Sequence, residues 1–520
     1  MDEPSFYLFY PYPMTYIKIQ TLTPVHIGSG RAFQGNFEYL YFSQEKKVAV
    51  IDEQKVFAII GRENLDKWLT IIERKEDLLQ YLQVRRPGVS TSDTALRTLP
   101  VIGKGPSKEN TIREQIHSGN GSPILPGSSL KGAIRTALLA HLIKQQPDFA
   151  RNHSNLGEER RDNRTGEIKT NYKDRRLQAN YLGSDPNHDI LRLLRVGDVH
   201  FEETCCLLAE TLNQGGNGFR MKDEVKQFIE CLPEKSIGIG RLQIPEKLKS
   251  ATTRQNYFQH DTSSLTYPLI FRVIRENTLR LLEREIANYE DQELPAGADE
   301  YLESLRELRT IAAQCGPHEC VIRVGFGIGH QFMTGGWQID QLPPAEMRKI
   351  ALAVRRKDYG DLPFPKSRKV MLQGRPMGFM KLTLLDEEAL QHLNEEKEAL
   401  RQQRAREESL KAAQFAKAEA EQKAARLAAE EEAIRKAEEA RKPQLKKASE
   451  VSLNIRVDAV VLRMQGIQAV CRLYVEGYES KEFPVRYPAG LAKDTVVTVK
   501  INDFDKQKKI IRGISEPIKK

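Results

Sequence analysis

From Asp386 to Arg441 the chain runs 56 residues without a glycine or a proline, built almost wholly of Ala, Glu, Lys, Arg, Gln and Leu, before Pro443 ends the run. Helix preference is near its maximum in such a composition. A continuous helix there would be ~84 Å long at 1.5 Å per residue. Leu393, Leu400 and Leu410 are too sparse to define a heptad. A solvated single helix laced with i,i+4 ion pairs and a partner helix of a coiled coil both fit. The run divides the 520 residues into a large mixed part, 1–385, and a tail, 451–520, that returns to β character.

Charge follows the same division. The chain carries 80 Lys and Arg against 71 Asp and Glu, a net of +9, of which residues 451–520 supply +5, residues 386–450 supply −2 and residues 1–385 the remainder. An excess of this size at the two ends permits an acidic partner such as nucleic acid without requiring one. No apolar run approaches the ~18 residues that cross a bilayer. Met1 to Tyr16 lacks the basic start of a secretory signal. Six cysteines in so long a chain do not make a disulfide framework. The expectation is a soluble, cytoplasmic, multidomain protein.

Alternating apolar residues predict a strand over Thr15–Leu22, a hairpin of Phe37–Phe42 with Lys47–Asp52, and a late strand ending at Leu385. Residues 53–83 and 130–144 have helical periods, as does Tyr267–Ile286. Arg85–Asn120 reads as an irregular insertion. Arg151–Arg176, with 8 basic and 5 acidic residues and almost nothing apolar, reads as a loop that is mobile without a ligand. Leu193–Ala209 resembles one strand, and Val321–Gly329 a strand entering a glycine-rich turn. Five short strands in 451–515 suggest a small β-barrel, of which oligonucleotide binding is one of several uses.

Three glycine-centred segments carry the chemistry. Thr23-Pro24-Val25-His26-Ile27-Gly28-Ser29-Gly30-Arg31 follows the first strand, and its small residues would let a backbone approach a phosphate, with Ser29, Arg31 and main-chain N–H groups as donors. An ordinary strand-to-strand turn fits it equally. Leu125-Pro126-Gly127-Ser128-Ser129-Leu130-Lys131-Gly132-Ala133-Ile134-Arg135 sets a Gly-Ser-Ser turn at a helix start, where N–H groups and the dipole favour an anion. Lys131 and Arg135 share one face of that helix, and solvated basic residues on a capped helix are the plain alternative. The segment lacks the spacing of a nucleotide-hydrolase phosphate loop. Arg323-Val324-Gly325-Phe326-Gly327-Ile328-Gly329-His330 has alternate glycines, but no βαβ unit with a downstream acid follows, which excludes a dinucleotide cofactor. No cofactor is expected. Cys315, His318 and Cys320 do not complete a tetrahedral metal site, so no metal is expected. Cys205, Cys206 and Cys231 sit among apolar residues as buried thiols, and no nucleophilic triad has a recognisable spacing.

In order and wording these three segments resemble the RAMP superfamily of CRISPR proteins, and within it the Csm subunit that caps the 3′ end of the guide RNA in type III-A effectors. The resemblance covers residues 15–385, and Pro126–Arg135 is its most specific part. It implies an α+β fold of two ferredoxin-like domains of the RNA-recognition (RRM/RAMP) type, 1–190 and 191–385, the second with the Gly-rich loop. The charged helical linker, 386–450, and the small basic β-module, 451–520, follow. Carried over, His26, Gly28, Ser29, Gly30, Arg31, Gly127, Ser128, Ser129, Lys131, Arg135, Arg323, Gly325, Gly327, Gly329 and His330 would line the guide RNA (crRNA). Partners implied are that RNA and neighbouring RAMP backbone subunits of the Csm ribonucleoprotein, with the small helical subunit and a cellular nuclease as further candidates, in antiviral defence.

One departure bears on activity. Related backbone subunits cut target RNA with an Asp shortly before the Pro-Gly-Ser-Ser turn, whereas Gly119-Asn120-Gly121-Ser122-Pro123 has none and Glu114 is the nearest carboxylate. The expectation is therefore a non-catalytic subunit. The rival is a RAMP-type endoribonuclease that processes precursor guide RNA with His26 as its acid or base. The tail stands as a tether to a nuclease or as a second RNA-holding arm.

Overall fold

The computed structural model describes residues 15–61, 64–74, 76–145, 157–161, 163–166, 168–172, 175–215, 218–255, 257–258, 262, 265–337, 341–355, 366–441, 443–486 and 491–519. Their packing separates two units, Met1–Asn394 and Glu395–Lys520.

In the first unit the alternation of Tyr16-Ile-Lys-Ile-Gln-Thr21 makes β1 (Tyr16–Thr21), with Ile17 and Ile19 fully buried. It lies inside an antiparallel sheet between β15 (Ile237–Gln243) and β19 (Phe379–Leu385), partners more than two hundred residues away in sequence. β16 (Glu319–Arg323) extends the sheet beyond β19, and β11 (Val199–His200) and β7 (Ile124–Leu125) extend it beyond β15, which β10 (Arg195–Val196) also joins. Helices α5 (Gly127–Lys144) and α8 (Tyr267–Tyr289) share one core with this sheet, where Leu130, Ile134 and Leu138 meet Ile17, Ile274 and Leu382. The helical period of 130–144 thus sets Leu130, Ile134 and Leu138 on the buried face of α5, although His141 and Leu142 at its end are only half-buried.

A second sheet runs β18 (Arg375–Pro376), β17 (Ser367–Met371), β12 (Cys205–Gly215), β14 (Gln227–Cys231), β6 (Thr111–Gln115), β2 (Gly28–Gln34), with β13 (Gly218–Met221) on β12. One face packs Phe33, Ile112, Cys206 and Phe228 on the small sheet of β3 (Tyr39–Phe42), β4 (Lys47–Ile51) and β5 (Ala95–Pro100). Helices α1 (Glu53–Ile60), α2 (Leu65–Glu73) and α3 (Leu78–Arg85) cover that small sheet. Strands from both sides of residue 190 share each large sheet.

Three expectations change. Arg85–Asn120 is not irregular: it holds α4 (Thr91–Thr94), β5 and β6. Each of these strands buries only one or two large apolar side chains, such as Leu99 and Ile112, and the pairing partners that complete them are distant in sequence. Within Arg151–Arg176, β8 (Gly157–Arg161) and β9 (Ile168–Tyr172) form a hairpin in place of the expected mobile loop. The ladder satisfies the backbone of a segment with no core of its own, and β9 lies against the helix Pro344–Arg355. Residues 151–156, 162, 167 and 173–174 of that segment lie outside the described residues. Leu193–Ala209 is broken into β10, β11 and the start of β12, because β10 and β11 pair in the first sheet and β12 in the second.

The helix Glu387–Arg441 is continuous over 55 residues, with Leu410, Leu427 and Ile434 exposed. In the second unit β20 (Arg456–Gln465), β21 (Gln468–Leu473), β22 (Glu482–Arg486), β23 (Val496–Asp505) and β24 (Ile510–Lys519) are the five expected strands, in the order β22-β21-β20-β23-β24. β22 also meets β24, so the sheet is a nearly closed barrel. Tyr478 fastens the seam, its hydroxyl accepting from the Ile511 N–H at 2.8 Å. The barrel interior holds Val457, Val461, Cys471, Phe483, Val499 and Ile514.

Candidate nucleic-acid interface

The first glycine segment forms one wall of a cleft of about 440 Å³ on the outer face of the second sheet, lined by His26, Gly28, Gly30, Arg31, Thr111, Arg113 and Gln227 among others. Val25 leaves β1 to pair with Leu232, with hydrogen bonds of 2.8 and 3.0 Å. That pairing turns His26 inward, where it is 2% exposed and its Nδ1 donates to the Glu230 carbonyl at 2.6 Å. Since a carbonyl only accepts, the proton sits on Nδ1 and Nε2 keeps its lone pair. Burial, more than the nearby Arg113 charge, holds the ring's pKa below its ordinary value. Gly28 to Arg31 then lie exposed along β2.

The third segment folds onto the first. Gly325, Gly327 and Gly329 all have positive φ, and the Phe326 N–H donates to the His26 carbonyl at 2.8 Å. A Cβ on Gly325 would stand 2.5 Å from that carbonyl, so the contact requires glycine for both conformation and space. The Phe326 ring meets His26 edge-on at 5.6 Å and carries the Arg113 guanidinium 5.2 Å from its centroid. His330 is half-buried at the start of a short 3-10 turn. Arg323 is inside the core: its Nε donates to the Met377 carbonyl at 2.8 Å, and its guanidinium lies 4.8 and 4.6 Å from the Phe332 and Phe379 ring centroids. Burial lowers its pKa to about 10. It does not face the cleft.

The helix start lines a different hollow. Gly127 is buried, and its N–H donates to Asp198 Oδ1 at 2.7 Å, so the protein's own carboxylate takes the place offered to an anion. A Cβ there would be 2.2 Å from the Val196 carbonyl oxygen, which ties the glycine to the close approach of β10. Ser128 is exposed and Ser129 half-buried. Lys131 and Arg135 line a hollow of about 490 Å³ with Gln178, Asp185, Asp189 and Arg192. Arg135 is held by Asp189 at 2.5 Å and by Gln178 at 3.1 Å. Burial lowers the pKa of Lys131, against the pull of Asp189.

Two buried polar residues that the sequence reading passed over hold the segments together. Gln115, fully buried, accepts from the Ile27 N–H at 2.9 Å and donates to the Ile124 carbonyl at 2.9 Å, joining the first segment to the strand that leads into the second. Glu230, also fully buried, takes Arg97 at 3.2 and 3.0 Å, the Thr204 hydroxyl at 2.8 Å and the Gln115 N–H at 3.2 Å. Arg97 reaches on to Glu114 at 3.3 Å, which accepts the Ser29 hydroxyl at 2.9 Å. Ser29 therefore spends its proton internally, and Glu114 is bound rather than open. Arg31 pairs with Glu38 at 3.3 Å. Arg113 lines the cleft, is exposed and has no carboxylate partner among the described residues, and Lys369 adds a second positive charge near it. Sequence reasoning missed Arg113 because Thr111-Ile-Arg-Glu-Gln115 holds a single apolar residue and becomes a strand only through its pairing with β2 and β14.

Cys315 donates to the Ile311 carbonyl at 3.3 Å, and burial raises its thiol and that of Cys320. Cys205 and Cys231 are cross-strand neighbours with sulfurs 3.7 Å apart. Among the described residues no group of three His, Cys, Asp or Glu side chains is placed to hold a metal ion, and no helix is long and apolar enough to cross a membrane.

Both the glycine strand and the glycine loop that closes on it lie inside a single family match. The RAMP superfamily model matches residues 18–331, and the chain belongs to that superfamily. Within it the chain is similar to two curated CRISPR system Cms proteins Csm5. That of Streptococcus thermophilus is 30% identical over 139 residues, 24% of this chain and 37% of the relative. That of Enterococcus italicus is 26% identical over 148 residues, 24% of this chain and 42% of the relative. The chain thus spans less than half the length of these relatives. A chain of the cryo-EM structure of a Csm–crRNA–target RNA ternary complex of a type III-A CRISPR–Cas system shares the fold, with a TM-score of 0.51 at 17% identity over 72% of this chain and all of that one. Residues 386–520 lie outside the superfamily match.

Proposed function

We propose that this chain is a non-catalytic, crRNA-binding subunit of a type III-A CRISPR Csm complex that caps the 3′ end of the guide, supporting its maturation and antiviral interference. The observation that carries the reading is Arg113, an exposed guanidinium without a carboxylate partner among the described residues, lining the cleft beside the backbone of Gly28–Arg31. A cation and main-chain N–H groups grip phosphates and ignore base identity, which suits guides of varied sequence. The stacking of Arg113 on Phe326 holds the charge in place before RNA arrives. Lys131 and Arg135 form a second contact in this reading, with Arg135 exchanging Asp189 for a phosphate. Tagged protein recovered from its host is expected to carry guide RNAs with a common 5′ repeat tag and neighbouring RAMP subunits. Recovery of bare protein, or of unprocessed precursor alone, overturns the reading.

One observation favours the nuclease rival: His26 lines the cleft with Nε2 unprotonated. Acid–base cleavage uses a second acid or base, and the other polar side chains lining the cleft are Arg31, Thr111, Arg113 and Gln227, with no second histidine and no carboxylate among them. Incubation with a repeat-containing transcript without metal is expected to leave it intact. Cleavage abolished by His26→Ala would establish the rival.

A further inference from the structure

The second unit has its own core and lies outside the superfamily match, yet its barrel carries cations that its fold does not use. We propose that the outer face of β20–β22, together with the β23–β24 turn, is an additional binding surface for single-stranded RNA. The proposal goes beyond the cleft of the first unit and does not rest on it.

Along β21 and β22 the odd residues point into the barrel, so Gln468, Val470 and Arg472 stand outside opposite Arg486, Pro484 and Glu482. Arg463 reaches the same face and binds Glu482 with both terminal nitrogens, at 2.8 and 2.5 Å. Arg463 therefore occupies the Glu482 carboxylate, and Arg472 and Arg486 are exposed with no carboxylate partner among the described residues. The turn after β23 adds exposed Lys506, Lys508 and Lys509. The nearest acid, Asp505, is consumed by Arg512 and by the N–H groups of Gln507 and Lys508. This turn follows the end of β23 that lies toward Arg472: Lys500 is opposite Arg456, and Ala459 is opposite Leu473.

Between the charges Pro484 is exposed beside the buried Val470, and Ile467 stands 65% exposed at the β20–β21 turn. Cations that track a backbone, with exposed apolar side chains such as Pro484 and Ile467 against which bases can lie, are what a single strand needs. The strand connectivity, with β20 paired to β21 and β23 and the barrel closed by β22 and β24, is that of small barrels that bind oligonucleotides on this face and at these turns. Closure also removes free strand edges as the means of recruiting a protein segment.

The test uses the full chain with a fluorescein-labelled 12-nucleotide oligouridine, reading Kd across a salt series and mapping ultraviolet crosslinks by mass spectrometry. Crosslinks are expected in peptides from 463–512, and R472E/R486E with K506E/K508E/K509E should remove them, weaken binding at least tenfold and flatten the salt dependence. Arg472→Gln with Arg486→Gln, milder and on exposed positions, should give an intermediate loss with an unchanged circular dichroism spectrum. R31E/R113E should leave the 463–512 crosslinks in place. Crosslinks confined to peptides around residues 26–34 and 111–115, or an affinity indifferent to the five reversals, overturns the proposal while leaving the first-unit reading intact. Loss of cleft crosslinks alone overturns only that reading.

Discussion

Arg113 and Glu285 carry the two clearest consequences of single side chains. Arg113→Glu is expected to weaken binding of single-stranded RNA by about tenfold at low salt. It should also lower the slope of log Kd against log salt by roughly 0.7, the share of one phosphate contact. A filter-binding salt series checks it, and an unchanged slope would remove Arg113 from the RNA path. Glu285 is fully buried in α8: burial pushes its carboxyl up, and Arg368 with the Tyr301 hydroxyl more than offsets this, holding it below its ordinary value. A carboxyl depressed in the folded state contributes stability that is complete above the unfolded value near 4.5 and is lost as pH falls through the lower folded value. Glu285→Gln should therefore cost ~3–5 kcal/mol at pH 7, the cost of removing one charge from a buried ion pair, and should flatten the acid limb of the pH–stability curve below pH ~4.5. Urea melts from pH 7 to pH 3 read both effects.

At the scale of elements, the glycines act as spacers between chain segments more than as ligand contacts. Gly127→Ala drives a Cβ to 2.2 Å from the Val196 carbonyl oxygen, and the helix start or β10 must move. The expected cost is ~2–3 kcal/mol, with the cleft of the first segment unaffected if Gln115 still joins the strands. Gln115→Ala instead strands the Ile27 N–H and the Ile124 carbonyl, and should both destabilise the unit by ~2–4 kcal/mol and loosen residues 26–31. Hydrogen exchange distinguishes the two variants, because only the second should raise exchange at Ile27. The long helix obeys different rules. Its stability is local, from alanine propensity and ion pairs such as Glu432 with Lys436 at 2.8 Å, so Ala424→Pro should raise exchange over the neighbouring turns without changing either core.

For the whole molecule the separation of cores is the governing fact. The first unit's clusters draw on residues up to Leu382, and the barrel's cluster begins at Val451. Truncation after Asn394 is therefore expected to leave the first unit folded, with its melting temperature moved by less than ~4 °C. Failure of that fragment to fold, seen by circular dichroism, would mean the helix and barrel are structural for the first unit.

Local chemistry made much of this protein legible. The uninterrupted helix of 387–441 follows from propensity, the five barrel strands from alternation, and β1 and α5 from apolar spacing, because in each case the signal lies within a few turns of the residue it concerns. The glycine segments were legible as a family signature, and the Gly325–His26 contact makes physical sense of two of them. The fates of Ser29, Arg135 and Arg323 were not legible. Whether a hydroxyl or a guanidinium is open to a ligand depends on which carboxylate, carbonyl or ring the fold brings to it, and Glu114, Asp189, Met377 and Phe379 all come from elsewhere in the chain. β5 and β6 escaped notice for the same reason, since short, half-polar strands exist only by virtue of distant partners. Sequence alone determined where helix, barrel and glycine turns would form; tertiary structure alone decided which cations stay unpaired, because pairing is a property of neighbours in space.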